Sequence, residues 1–443
     1  MESLSKILDS VSSVVWGWPL IILLFGTHIY LTFRTGFIQK YLIYAIKLSF
    51  GKESTEKGDI SHFGALATAL AATIGTGNIV GVSTAVAMGG PGAVLWMWFT
   101  GIFGIATKYS EALLSVKYRI TAEDGSYAGG PMYVLERGLN MKWLGVLFAI
   151  FTAIAAFGIG NMVQANSIAE MTASNFGVSK IITGIILAVL TFVVIIGGVK
   201  SIAKICEGLI PFMAIFYVIG CLIILLINYD KLADALMIIV RGAFSPLAAT
   251  GGFAGSVLKE TIRYGIARGL FSNESGLGSA PIVAAAARTE EPVRQALVSS
   301  TGTFWDTVVI CLITGFTVVS SGDWLLGKSG AELTTSAFSH IRIIGPLVLN
   351  VGLLTFVFST IIGWSYYGEK AAEYLFGSRI KIFYRILWVA AVFIGAILSL
   401  PVVWTFADIA NGLMAVPNLI ALLLLSKVVT DETKYYFDRI EKS

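Results

Sequence analysis

Two stretches of this chain place glycine and small polar residues where an apolar helix would otherwise run on. One reads Ala71-Ala72-Thr73-Ile74-Gly75-Thr76-Gly77-Asn78. The other reads Gly269-Leu270-Phe271-Ser272-Asn273-Glu274-Ser275-Gly276-Leu277-Gly278. Glycine costs about 1 kcal/mol relative to alanine inside a helix. In lipid no water satisfies a freed backbone group. Such a break is expensive unless something binds there. The N–H groups that open one half-helix attract a carboxylate, and the carbonyls that close the other attract a cation. A zwitterionic amino acid with one sodium ion supplies both charges. The competing reading is that the glycines only let helices pack closely. One such site fits either reading; two at matching places favour binding.

Other residues able to do chemistry are few. Asn161 and Gln164 lie one turn apart on one helix face, suited to a polar ligand or to interhelical hydrogen bonding. Ser359 and Thr360 put adjacent hydroxyls at mid-span, where they either ligate a hard cation or bond back to their own helix. Trp364 either narrows a pocket or packs. Lys108, Glu111, Arg263, Arg268, Glu274 and Asp306 are ionisable residues within or beside apolar spans, where charge is costly and functional by default. Arg263 and Arg268 suit a vestibule or gate. Asp306 either pairs with a base or relays a proton. Gly322 to Ser329 satisfies the phosphate-loop pattern literally, but no strand precedes it and it falls in an outer loop. Asn273-Glu274-Ser275 matches a glycosylation acceptor inside a span. Gly75-x-Gly77-x-x-x-Gly81 is one residue too long for a dinucleotide fingerprint. Cys206, Cys221 and Cys311 form no C-x-x-C pair, and His28, His62 and His340 stand alone.

The elements that must hold these residues are helices in a bilayer. Of the 443 residues 56% are hydrophobic and 13% charged, and mean hydropathy is +0.81. Apolar blocks recur near the length that crosses a membrane, about 20 residues. Eleven are expected, at 13–34, 61–86, 92–116, 144–173, 180–199, 208–228, 256–287, 297–319, 343–368, 382–400 and 404–427. Amphipathic pieces near 36–50, 231–245 and 329–341 lie along the surface or cap the bundle. The first block follows Glu2, Lys6 and Asp9 and has no cleavage site, so it reads as a retained span. With the N-terminus outside and the C-terminus cytoplasmic, inner segments receive 21 Lys and Arg, among them Lys52, Lys434 and Lys442, and outer ones 6. Without the first helix ten remain, as two inverted halves of five. The expected division is 1–58 (extra helix and amphipathic connector), 59–229 and 230–428 (the two repeats) and 429–443 (cytoplasmic tail).

The run Ala71 to Gly81 resembles the broken first core helix of transporters with the LeuT fold. The wider pattern resembles the alanine/glycine:cation symporters within these amino acid–polyamine–organocation-like carriers. It includes Gly58-Asp59-Ile60-Ser61-His62-Phe63, Gly89-Gly90-Pro91-Gly92 with Trp96 and Trp98, and Lys108-Tyr109-Ser110-Glu111. Gly129-Gly130-Pro131-Met132-Tyr133 and Phe271 to Gly278 continue it. The resemblance covers nearly the whole chain. It implies an all-α polytopic secondary carrier of small neutral amino acids, alanine and glycine, in a cell membrane, with sodium as coupling ion. No organic cofactor, ATP or nucleic acid is implied. Carried over, Gly75, Thr76 and Gly77 offer backbone donors to the substrate carboxylate, and Asn78 an amide near substrate or ion. Phe271, Ser272 and Asn273 line the opposite wall, Asn161 and Gln164 reach in, and Trp364 caps the pocket. Ser359 and Thr360, with the carbonyls of Ala71, Ile74 and Phe356, would hold sodium. A proton-coupled carrier of the same fold, an ion channel and a membrane-embedded enzyme are the rivals. No charged ring or repeated filter supports the channel, and no His/Asp or Ser/Lys constellation supports the enzyme.

Overall fold

The computed structural model describes residues 2–51, 57–245, 254–328, 330–398 and 401–440. Lys52, Ser329, Ser399, Leu400 and Lys442, named or spanned by the expectations above, lie outside the described residues. The chain opens with α1 (Glu2–Val15) and α2 (Trp18–Arg34), parted at Trp16-Gly17 with Pro19 in the first turn of α2. The two together make one candidate membrane span, Lys6–Arg34, which contains the expected first span 13–34. A short surface helix, α3 (Leu42–Ser49), follows.

The first broken unit is α4 (His62–Thr73), capped by the Ser61 hydroxyl, then a π-turn at Gly77–Gly81 and α5 (Val82–Gly89). Its two arms meet at 56°. Next come α6 (Ala93–Lys117) and a hairpin of β1 (Ile120–Thr121) and β2 (Tyr127–Ala128), with Thr121 opposite Tyr127. After α7 (Pro131–Tyr133), α8 (Lys142–Phe157) and α9 (Val163–Phe176) run on through a π-turn at Gly158–Met162. Two lipid-facing helices, α10 (Lys180–Ile195) and α11 (Gly198–Ile227), come next, followed by α12 (Leu232–Phe244).

The second broken unit departs from expectation. Helix α13 (Ala254–Asn273) runs through Gly269 and stops at Asn273, and after the break only one turn, α14 (Pro281–Ala284), re-forms. Glu274, Gly276 and Gly278 all take positive φ there. A side chain at Gly276 or Gly278 would be strained in backbone and would strike Leu24 or Pro131. Then α15 (Pro292–Thr303) and α16 (Leu312–Ser321) flank a π-turn at Phe304–Cys311. The helices α17 (Gly330–Ser339), α18 (Ile344–Phe376), α19 (Ile380–Ile397) and α20 (Pro401–Leu424) follow. The tail forms α21 (Ser426–Ile440), bound back by Thr433 to Tyr109 and by Phe437 stacked on Tyr41.

Among the described residues seven helices are long and apolar enough to cross a bilayer, and the bent pair makes an eighth. The other three expected spans fall on α6 and α13, which carry several charges, and on the 16-residue α10. A helix enclosed by partners can carry polar groups that a lipid-facing one cannot. The lipid-facing kind is visible on α10 and α11, where Ile181, Ile185, Val189, Phe212, Ile215 and Ile219 are each more than half exposed. So continuous an apolar belt suits hydrocarbon, since soluble monomers rarely expose more than a few hundred Å² in one patch.

Candidate functional site

Both breaks meet at the centre of the bundle. Gly75, Thr76, Gly77, Gln164, Phe271 and Trp364 surround one buried cavity of about 20 Å³, room for a single water. All six are among the residues expected to meet substrate. The same cavity also touches Ala72, Thr73, Ile159, Glu274 and Asn411, which are not. Glu274 stood out only as a charge without a role. Asn411, which shares its apolar span with Asp408 and Asn418, was the overlooked signal.

Four selected residues face elsewhere. Asn78 turns behind the break: its Oδ1 accepts the Gly75 N–H at 2.9 Å, and its Nδ2 donates to Asp306 Oδ1 at 2.7 Å. Ser272 Oγ donates to Asp306 Oδ2 at 2.8 Å. Asp306 thus joins the two breaks. Asn161 donates to the Trp388 carbonyl at 2.9 Å, and Asn273 faces a separate small cavity beside Lys108. The Gly75 N–H, expected to meet a substrate carboxylate, is occupied by Asn78.

Gln164 donates to the Ile159 carbonyl within the π-turn at 2.9 Å, while its Oε1 is buried with no partner among the described residues. Asn411 Oδ1 is buried and unpartnered in the same way. Two orphaned acceptors beside one cavity suit a donor such as an ammonium group. Trp364 is held by its indole N–H on Glu274 Oε1 at 3.1 Å, and Gly160 leaves room for its ring.

The five expected ion ligands come together. Ser359 Oγ lies 2.8 Å from the Phe356 carbonyl and 3.2 Å from that of Ala71. Thr360 Oγ1 lies 3.0 Å from the Phe356 carbonyl and 3.3 Å from that of Ile74. Back-bonding within α18 explains the Phe356 contacts. It does not explain the reach to Ala71 and Ile74 at the carbonyl end of α4. Five neutral oxygens at a helix C-terminus form a donor set for a hard monovalent cation, and these residues fit sodium.

Above the cavity lies a vestibule of about 820 Å³, whose floor shares Thr76, Gly77, Ile159 and Phe271 with it. Arg263, Arg268 and Asp408 line its walls, and the Arg268 guanidinium sits 5.9 Å from the centre of the Phe271 ring. Phe271 is the partition between vestibule and cavity. Trp364 packs edge-on against Tyr367, and below them the hairpin is clasped to α18 and α19. Lys381 binds Asp124 at 2.6 Å and Glu373 at 2.9 Å, Lys370 binds Glu373 at 2.9 Å, and Arg385 grips Glu369 with two nitrogens. Arg119 adds hydrogen bonds to the carbonyls of Ala285, Ala287 and Lys57. Burial pushes the Asp124 carboxyl up, but hydrogen bonds from Lys381 and Ser126 and the Lys381 charge outweigh it and hold the group well below the usual carboxylate range.

The solved structure of MhsT in complex with L-phenylalanine shares this fold, with a TM-score of 0.56 at 14% identity over 87% of this chain and 99% of that one. A bundle of this kind, with two broken helices at its centre, has the all-α LeuT fold of polytopic membrane proteins. The chain belongs to the sodium:alanine symporter family, whose model matches residues 1–443. It is 53% identical to the sodium/alanine symporter AgcS of Methanococcus maripaludis, across 99% of this chain and 98% of that protein. It is 38% identical to the probable sodium/glutamine symporter GlnT of Bacillus subtilis, across 98% and 91%. It is a sodium-coupled amino-acid symporter.

Proposed function

We propose that this symporter imports alanine and glycine together with sodium, from a vestibule on the outer face to the cytoplasm, with the N-terminus outside and the C-terminus inside. The observation that carries the reading is the convergence of Ser359, Thr360, Phe356, Ala71 and Ile74 beside the cavity at Gly75–Gly77. Sodium held there would neutralise the carbonyl end of α4 and steady the break. The carboxylate of the substrate would take the N–H groups at Thr76 and Gly77, where no basic side chain lines the cavity. Its ammonium group would meet the orphaned Gln164 and Asn411 oxygens.

Phe271 and Trp364 leave little volume at the side-chain end, which supports a hydrogen atom or a methyl group as the side chain. Ordering of the break by sodium and closure of Phe271 over the substrate would shut the vestibule. Opening of the hairpin clasp would then release the cargo inward, as the helix bundle built from the two inverted repeats (59–229 and 230–428) rocks. The supporting experiment is uptake of labelled alanine into proteoliposomes driven by a sodium gradient without ATP. Competition by a panel of amino acids tests the size limit. Uptake indifferent to sodium, or leucine competing as well as alanine, overturns the reading.

A further inference from the structure

Lys108 lies mid-way along α6, 3% exposed, and its ammonium has no hydrogen-bond partner among the described residues. It faces a cavity of about 10 Å³ bounded by Thr73, Asn273, Ala280 and Ser299. Thr73 is the last residue of α4 and Asn273 the last of α13. Two helix C-termini, each carrying about half a negative charge, therefore end beside this one cation.

Three carboxyl groups act on it as well. Glu111 is one turn on along α6, on the same face. Its Oε1 accepts the N–H groups of Gly276 at 3.0 Å and Gly278 at 3.1 Å and the Asn418 amide at 2.6 Å, while Oε2 is buried and unpartnered. Glu274 takes the Trp364 indole on one oxygen and the Ser279 hydroxyl on the other. Asp306 in the π-turn after α15 is the third carboxylate whose charge acts on Lys108. His28 of α2, bonded to Thr107, and Tyr367 of α18, whose hydroxyl is buried beside Glu274 and Glu111, are further titratable neighbours. From α4 and α15 the cavity receives only the hydroxyls of Thr73 and Ser299.

We propose that Lys108 is a positioning residue for transport, the tethered counter-ion that offsets Glu111 and so lets Glu274 stay ionised and hold Trp364 against the substrate cavity. Both oxygens of Glu274 accept, so its ionised form is the one that fits, whereas the unpartnered Oε2 of Glu111 takes a proton without losing a bond. A buried carboxylate stripped of its counter-charge takes up a proton instead. On Glu274 that proton converts an acceptor into a donor facing Ser279 or the Trp364 indole, and the hold on Trp364 is weakened. Wild type carries one ammonium and three carboxylates here; Lys108→Met with Glu111→Gln carries none and two, which is the same net charge. A glutamine at 111 keeps an oxygen for Gly276, Gly278 and Asn418.

This inference rests on the substrate reading of the Trp364 cavity, and its test is separate from that reading. Sodium-driven alanine uptake is measured in proteoliposomes from pH 5.5 to 9 for Lys108→Met, Lys108→Arg, Glu111→Gln and the double variant, with Thr360→Ala alongside. Lys108→Met is expected to lose at least about tenfold in maximal rate at neutral pH, with the acid limb of its profile moved about one unit toward alkali. Lys108→Arg keeps the limb in place. The double variant recovers about tenfold over Lys108→Met and returns the limb, which a merely structural lysine would not do. Unchanged uptake and profile in Lys108→Met overturns the proposal. So does a loss that no pH and no Glu111→Gln relieves, and if Lys108→Met does not yield folded protein, the double variant against Glu111→Gln decides. Thr360→Ala moves the sodium dependence and leaves the acid limb alone; failure of that arm alone removes the ion-site reading and leaves Lys108 standing.

Discussion

Asn78 donates to Asp306 Oδ1 at 2.7 Å while accepting the Gly75 N–H at 2.9 Å, so one carboxamide closes the first break and ties it to a residue 228 positions away. Asp306 binds Ser272 in the same way, and both breaks hang on one buried carboxylate. Removing a buried partner leaves the other unsatisfied, at about 1–3 kcal/mol. Asn78→Leu is expected to lower the maximal rate of alanine uptake about 10- to 100-fold, more than it alters sodium affinity. Uptake kinetics at saturating sodium check this; a near-normal rate would mean that the Asn78–Asp306 tie is dispensable.

Thr360→Ala removes one of five oxygens from the proposed ion site. The half-saturating sodium concentration should rise several-fold, on the order of 1 kcal/mol of lost binding, and Ser359→Ala should act in the same direction. Sodium titration of uptake reads this out, and curves identical to wild type for both variants would place the ion elsewhere.

The rings of Phe271 and Trp364 set the size limit. Overpacking costs about 1–3 kcal/mol, so leucine and phenylalanine should compete roughly 10- to 100-fold less well than alanine. Phe271→Ala is expected to narrow that gap. It should also weaken closure, because the same ring parts vestibule from cavity. The competition panel repeated on this variant is the check, and an unchanged preference would remove Phe271 from the wall.

The hairpin clasp should resist acid. Asp124 has its folded pKa depressed, so its contribution is present above the unfolded value and is lost only as pH falls through the lower folded one. The clasp is expected to hold unchanged from pH 8 to pH 5 and to open in Lys381→Met, which loses both Asp124 and Glu373. Labelling of a cysteine placed at Tyr366, on the wall of the cavity beneath the clasp, should be faster by at least about threefold in the Lys381→Met background, given partners that are partly buried. Equal rates would show that the path is barred by other contacts.

Topology has its own test. Lys434 is exposed on α21, and a cysteine there should react with an impermeant reagent only in inverted vesicles. Labelling in intact cells would reverse the orientation expected from the basic residues.

Properties that are local in the chain were legible in the sequence alone. Glycine cost and hydropathy are summed residue by residue, so the break at Gly75–Asn78 and the apolar spans could be read directly. The hydroxyl pair Ser359-Thr360 was legible for a similar reason: adjacent residues on one helix share a depth. Which side chain met which break was decided by the tertiary structure. Each residue turns a helix by about 100°, so partner choice depends on rotations that no single segment records. The π-turn at Gly158–Met162 inserts a residue into that count. It parts Asn161, which turns to Trp388, from Gln164, which reaches the cavity. The π-turn at Phe304–Cys311 likewise presents Asp306 to Asn78, and only the packed bundle brings Lys108 between the ends of α4 and α13. Charges that looked isolated along the chain are neighbours in space, because burying each of them requires the others.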